Sequence, residues 1–190
     1  MPLEYLMTAR RVFLVTGLPA TGKTTLARAL ARALAAPLLS KDGVKEPLLD
    51  VLGGGDRGLS SRLSDASFAV LFALADEQLG LTDAVVLEGN FRPGEHESAV
   101  QALLARHMPL SCTQVLCRVP EPLRQERLLA RAADGARHPG HRDATWVAQS
   151  QRHADAFLDV PGPRYIHDGG TADPAPACAL IHSLANRQLV

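Results

Sequence analysis

The run Gly17-Leu18-Pro19-Ala20-Thr21-Gly22-Lys23-Thr24 constrains this chain more than any other feature. It fills every fixed position of the pattern G-x-x-x-x-G-K-[ST], and both flanks carry what such a loop needs. Residues 12–15 form a short apolar, β-branched run that predicts a buried strand. Beyond Lys23 the period changes: Leu26, Ala29, Leu30, Ala33 and Leu34 recur at three and four, with Arg28 and Arg32 on the opposite face. That spacing predicts an amphipathic helix, ending before Ala36-Pro37 because proline disfavours helical geometry at the residue before it. A strand that turns through glycines directly into a helix aims successive backbone N–H groups and the positive end of the helix at one point. The expected ligand is a phosphate chain cradled by Gly17, Leu18, Pro19, Ala20, Thr21, Gly22, Lys23, Thr24 and Thr25. Lys23 would reach its terminal phosphates and the Thr24 hydroxyl would hold Mg²⁺. A glycine-rich turn with an incidental lysine is the plainer alternative.

Downstream, strands and helices alternate. Residues 38–40 and 84–87 predict further strands, as do 114–117 and 164–167, with helices over about 44–52, 61–80, 95–107, 121–133, 144–157 and 174–187. Short loops between alternating elements predict an α/β fold, a parallel sheet covered on both faces. The apolar series Phe68, Leu71, Phe72, Ala75 and Leu79 is helical in spacing and belongs to the core. At 190 residues the expectation is one domain over residues 1–190, without linker or repeat.

Composition excludes several roles. Twenty basic side chains balance twenty acidic ones, so no global field gathers nucleic acid or anionic membrane. No stretch reaches the ~18 apolar residues of a membrane span. Arg10-Arg11 followed by apolar residues resembles an export signal, but the apolar run is too short and passes straight into Gly17 and Lys23. Cys112 and Cys117, five apart on one strand, should face opposite sides, and with Cys178 they offer neither a disulfide framework nor metal spacing. A reducing cytoplasm is the expected location. The chain has only three lysines, Lys23, Lys41 and Lys45, all in its first quarter, which points to a lysine-using site near the amino terminus.

Three kinds of nucleotide chemistry fit such a loop: a switch GTPase, a mechanical ATPase and a kinase. No lysine is followed two residues later by aspartate, so the guanine-reading motif is missing, and a motor ATPase needs a larger module. At the next strand end, Ser40-Lys41-Asp42-Gly43-Val44-Lys45 resembles the second-strand motif of small P-loop kinases, among them phage-type polynucleotide 5′-hydroxyl kinases and chloramphenicol phosphotransferase. The resemblance implies that Asp42 accepts the proton of the attacking hydroxyl and that Lys45 contacts the acceptor. The alternative is that Lys41 and Asp42 merely cap the next helix. Leu87-Glu88-Gly89-Asn90-Phe91-Arg92-Pro93 is a second similarity, implying Asn90 and Arg92 near the acceptor and Glu88 on Mg²⁺ through water; Glu88 could instead orient Lys23 or the acceptor.

The third similarity is the arginine series. Between Arg118 and Arg142 six arginines face only Glu121, Glu126 and Asp134. Arg124, Arg127 and Arg131 share one helical face. Similar kinases close an arginine-bearing lid, here about residues 127–142 with Arg137 at its tip. Arg127 and Arg131 would then stabilise the transferring group; a solvated face paired with the two glutamates is the bland alternative. His138 and His141 lack the partners of a metal site, and Gly53-Gly54-Gly55, although similar to the glycine triplet of shikimate kinases, is taken as a turn.

Together these segments resemble the zeta-toxin-like and AAA-type small ATP-binding kinases over about residues 12–142. The resemblance implies a three-layer P-loop NTPase fold with a five-stranded parallel sheet of nucleoside-monophosphate-kinase type. The expected activity is ATP-dependent phosphoryl transfer to a hydroxyl of a small molecule, with ATP and Mg²⁺ as cofactors. A polynucleotide 5′-hydroxyl kinase remains an alternative, although the neutral charge and few aromatics offer nucleic acid little. An ATP-binding module without transfer is the non-enzymatic one. The sequence does not specify the acceptor or the oligomeric state.

Overall fold

The computed structural model describes residues 10–53, 57–134, 138 and 155–186. The element order is β1 (Arg10–Thr16), α1 (Lys23–Leu34), β2 (Leu38–Ser40), α2 (Lys41–Leu52), α3 (Arg57–Leu81), β3 (Ala84–Glu88), α4 (Glu97–Arg106), β4 (Leu110–Arg118), α5 (Glu121–Ala133), β5 (Arg164–Asp168) and α6 (Ala175–Asn186). All strand pairings are parallel, and the sheet order is β2-β3-β1-β4-β5. This is the expected three-layer P-loop fold with nucleoside-monophosphate-kinase-like topology.

Strand alternation divides the interior into two cores. Val12 and Leu14 join Val85 and Leu87 beneath α3 and α4, where Leu71, Leu79 and Leu103 are fully buried. Phe13, Val15 and Val86 point the other way, onto Leu26 and Leu30 of α1 and Ile181 of α6. Both faces of β1 are therefore apolar, the pattern of a central parallel strand. Each such Val, Leu or Phe contributes roughly 1.5–3 kcal/mol when buried. Cys112 lies in the first core and Cys117 in the second, as their odd separation requires.

Several boundaries differ from the expectation, four helix or strand starts most clearly. β4 starts at Leu110 instead of 114, because Ser111 and Thr113 break the apolar run but not the pairing with β1. α2 starts at Lys41, since Ser40 Oγ accepts the Gly43 amide at 2.9 Å and so caps the helix three residues early. α3 begins at Arg57 instead of 61. α4 begins at Glu97 because a turn closed from Glu95 N–H to the Arg92 carbonyl, 3.2 Å, precedes it. The helix expected over 144–157 falls mostly outside the described residues, and 155–157 are not helical. The buried Gln114 amide ties the chain at Leu158 to the sheet, accepting from Leu158 N at 2.8 Å and donating to the Leu158 carbonyl at 3.1 Å.

Candidate functional site

Parallel strands place the carboxyl ends of β1, β2 and β3 on one edge, and the phosphate-binding pattern leaves β1 there. Gly17 is packed so closely that a Cβ would lie 2.3 Å from the Cys117 carbonyl oxygen of β4. Leu18 and Pro19 are half-buried, Ala20 and Thr21 are buried, and Ala20 takes a left-handed φ of 69°. Inside the loop, Thr21 Oγ1 and Lys23 Nζ each donate to the Leu18 carbonyl at 2.8 Å. Gly22 precedes α1 with no side chain capping the helix, so the first-turn amides remain available to an anion. Thr24 and Thr25 are exposed in that first turn.

The next two strand ends bring charge to the loop. Glu88 closes β3 in register with Ser40 of β2 and Val15 of β1, and is only 5% exposed. Burial raises its pKa above the ordinary value, against the pull of Lys23. Burial lowers Lys23, while Glu88, Cys117 and Asp42 pull it back up and Arg131 pushes it further down. Lys23, Glu88, Asp42 and Arg131 thus share one electrostatic neighbourhood.

Asp42 is the second residue of α2, whose N-cap is Ser40, so the aspartate lies in the first turn and not at the cap position itself. The Asp42 carboxylate is half-exposed, with Lys41 Nζ 3.1 Å from its Oδ1. Lys45, one turn on, donates to Ser60 Oγ at 2.9 Å and Ser64 Oγ at 2.8 Å, tying α2 to α3. Its ammonium is pushed down to about 8 by burial and by Lys41, with Asp42 and Asp65 opposing. All three lysines of the chain therefore act on Asp42, and Lys23 and Lys41 act on Glu88 as well. Asn90 is half-buried just past β3. Arg92 pairs with Glu95 at 2.9 Å and approaches Asp65 at 4.0 Å.

The arginines of α5 separate into distinct environments. Arg124 is buried and bonded to both Glu121 oxygens at 2.8 and 2.7 Å, paired as the bland alternative has it but not solvated. Arg127 Nη1 instead donates to the Gly169 carbonyl at 2.9 Å and lies 3.5 Å from the Ala20 carbonyl. Arg127 and Arg131, with Gly22, Thr25, Gly169 and Thr171, line a cavity of about 460 Å³ that opens beside the loop. Gly169 was not singled out from the sequence. A Cβ there would fall 1.9 Å from the Thr21 carbonyl oxygen, so the turn after β5 supports the loop through direct backbone approach. A Gly-Gly pair at a strand end was its visible signal. Arg137, His141 and Arg142 lie outside the described residues. His138 Nε2 is 2.9 Å from Asp50 Oδ1. Among the described residues no three His, Cys, Asp or Glu side chains are grouped to hold a metal ion. No helix among them is long and apolar enough to cross a membrane.

The fold and its loop define a P-loop kinase fold related to that of small-molecule kinases. The chain belongs to the AAA domain family, which it matches over residues 12–156. A solved structure of a candidate kinase from Chloroflexus aurantiacus is 34% identical, covers 93% of this chain and 98% of its own, and superposes with a TM-score of 0.81. A sugar kinase from Janibacter sp. shares the fold at 14% identity and TM-score 0.61, over 94% of this chain and 95% of its own. An uncharacterised protein of Mycobacterium tuberculosis is 31% identical over 81% of this chain. The chain spans about a third, 32%, of the length of the curated relatives it matches.

Proposed function

We propose that this protein moves the γ-phosphoryl group of ATP to a hydroxyl of a small molecule. The carrying observation is that Lys23, Lys41 and Lys45 all act on Asp42, with Glu88 beside Lys23 and Lys41, at the strand ends beside the loop. Phosphoryl transfer needs this combination: cations for the phosphates and an aspartate for the nucleophile. The comparisons with kinases support the reading.

In this account the amides of residues 17–25 surround the phosphates, and Lys23 exchanges its bond to the Leu18 carbonyl for one to a phosphate oxygen. The 460 Å³ cavity beside Gly22 takes the nucleoside, flanked by Arg127. The exposed Thr24 hydroxyl and the buried Glu88 carboxyl, set beside Lys23, fit a hydrated Mg²⁺, which would neutralise charge on the phosphates. Asp42 orients the acceptor hydroxyl and takes its proton as the oxygen bonds to γ-phosphorus and the bond to the ADP oxygen breaks. Arg131 counters charge on the transferring group, together with Arg127 where that side chain turns inward. Lys45, Asn90 and Arg92 face the acceptor side.

The test is transfer of label from γ-labelled ATP with Mg²⁺, offered a cell metabolite extract in one arm and a 5′-hydroxyl oligonucleotide in the other. A new labelled small molecule is expected. Label on the oligonucleotide alone would replace the acceptor class, and ATP binding with no transfer in either arm would make this a nucleotide-binding module.

A further inference from the structure

His96 has no part in the site as read from the sequence, yet it is only 7% exposed. Its ring centroid lies 4.0 Å from that of Phe68, 5.9 Å from Phe91 and 6.3 Å from Phe72. A residue serving only to fill that cluster would be better as another aromatic hydrocarbon, since buried ring nitrogens need partners. Here one nitrogen has a specific partner: Nδ1 accepts the Arg92 backbone N–H at 2.9 Å.

Arg92 is held from its other side as well. Its carbonyl accepts Glu95 N–H at 3.2 Å, closing a turn centred on Pro93-Gly94, with Gly94 at φ 81°. Proline followed by a positive-φ glycine is the signature of a type II turn. One residue earlier, the Phe91 carbonyl accepts from Thr16 Oγ1 at 3.3 Å, anchoring the segment to the end of β1. Both backbone polar groups of Arg92 are therefore committed, and His96 supplies the one bond that comes from a side chain.

We propose that His96 is a positioning residue for acceptor recognition: its Nδ1 fixes the Arg92 amide, and with it the Asn90–Arg92 segment, at the carboxyl end of β3. The inference rests on Asn90 and Arg92 reading the acceptor, as proposed above. Burial and the Arg92 charge lower the His96 pKa against the backbone contact with Arg92 and the charges of Glu95 and Glu97, which favours the neutral ring that the Nδ1 acceptor geometry requires.

Two variants separate positioning from packing. His96→Phe keeps the aromatic volume and removes the acceptor nitrogen, whereas His96→Asn keeps an acceptor near the Nδ1 position and loses the ring. With γ-labelled ATP and graded amounts of metabolite extract, His96→Phe should raise the half-saturating extract about fivefold, the equivalent of one lost hydrogen bond. Its ATP half-saturation should stay within about twofold of wild type, and His96→Asn should recover most of the extract response despite a lower melting temperature. Packing alone predicts the reverse order, and an unchanged extract response in His96→Phe, or equal loss in both variants, would overturn the proposal. Hydrogen exchange at the Arg92 amide supplies a readout independent of transfer. It should quicken in His96→Phe, and unchanged exchange would overturn the proposal even if wild type proved inactive, a result that would count separately against the kinase reading.

Discussion

Arg127 of α5 and Gly169 of the turn after β5 are joined by a hydrogen bond of 2.9 Å from Nη1 to the carbonyl oxygen. The same guanidinium nitrogen lies 3.5 Å from the Ala20 carbonyl, so one side chain joins the phosphate-binding loop to the turn after β5 at the cavity. A guanidinium bonded to carbonyls holds more strongly than a neutral donor would. Arg127→Ala should therefore weaken ATP binding about tenfold, the scale of one charged hydrogen bond. Calorimetric titration of ATP into wild type and variant checks this, and equal affinities would show that the bridge does not shape the site.

The backbone contact under the loop makes a separate prediction. A methyl group at residue 169 would fall 1.9 Å from the Thr21 carbonyl, and neither backbone can move away without dragging the loop or β5 with it. Gly169→Ala should cost about 1–3 kcal/mol, the range of overpacked cores, and should also impair ATP binding. Thermal unfolding with and without ATP would reveal both effects. A variant as stable as wild type would mean the turn yields freely.

Lys45 gives a pH dependence with a definite sign. Its folded pKa of about 8 lies below the ordinary 10.5, so between those values the unfolded chain keeps a proton that the folded chain has shed. Stability therefore rises with pH across that window, and the cost of burying the ammonium is fully present below it. Relative to Lys45→Met, wild type should gain up to about 3 kcal/mol between pH 7.5 and 10.5. Urea unfolding at several pH values measures the difference. Parallel curves for the two proteins would show that the ammonium is better hydrated than its burial implies.

Much of this was legible in the sequence because it is local. Residues 12–15 and the helix after Lys23 carry their own periodicities, and the loop between them has fixed positions, so strand, loop and helix emerged in register. β2 and α5 came out at the expected bounds for the same reason. What stayed hidden depends on contacts between distant segments. Gly169 matters through Thr21, and His96 through three phenylalanines and a turn whose strength lies in a side-chain bond. The lysine clustering sits between these cases: its skew was visible along the chain, but its convergence on Asp42 required the parallel sheet to align the strand ends. Arg124 marks the limit of spacing arguments, since it shares a helical face with Arg127 yet is spent on Glu121.

Asp42 stands in the first turn of α2, two residues after the Ser40 cap. The most direct measurement is the rate of label transfer from γ-labelled ATP to the metabolite extract by Asp42→Asn, alongside its ATP affinity. Removing a proton acceptor while keeping its shape should slow transfer about a hundredfold or more and leave ATP binding within about twofold of wild type. Transfer at the wild-type rate by Asp42→Asn would contradict the central claim that this carboxylate activates the acceptor hydroxyl.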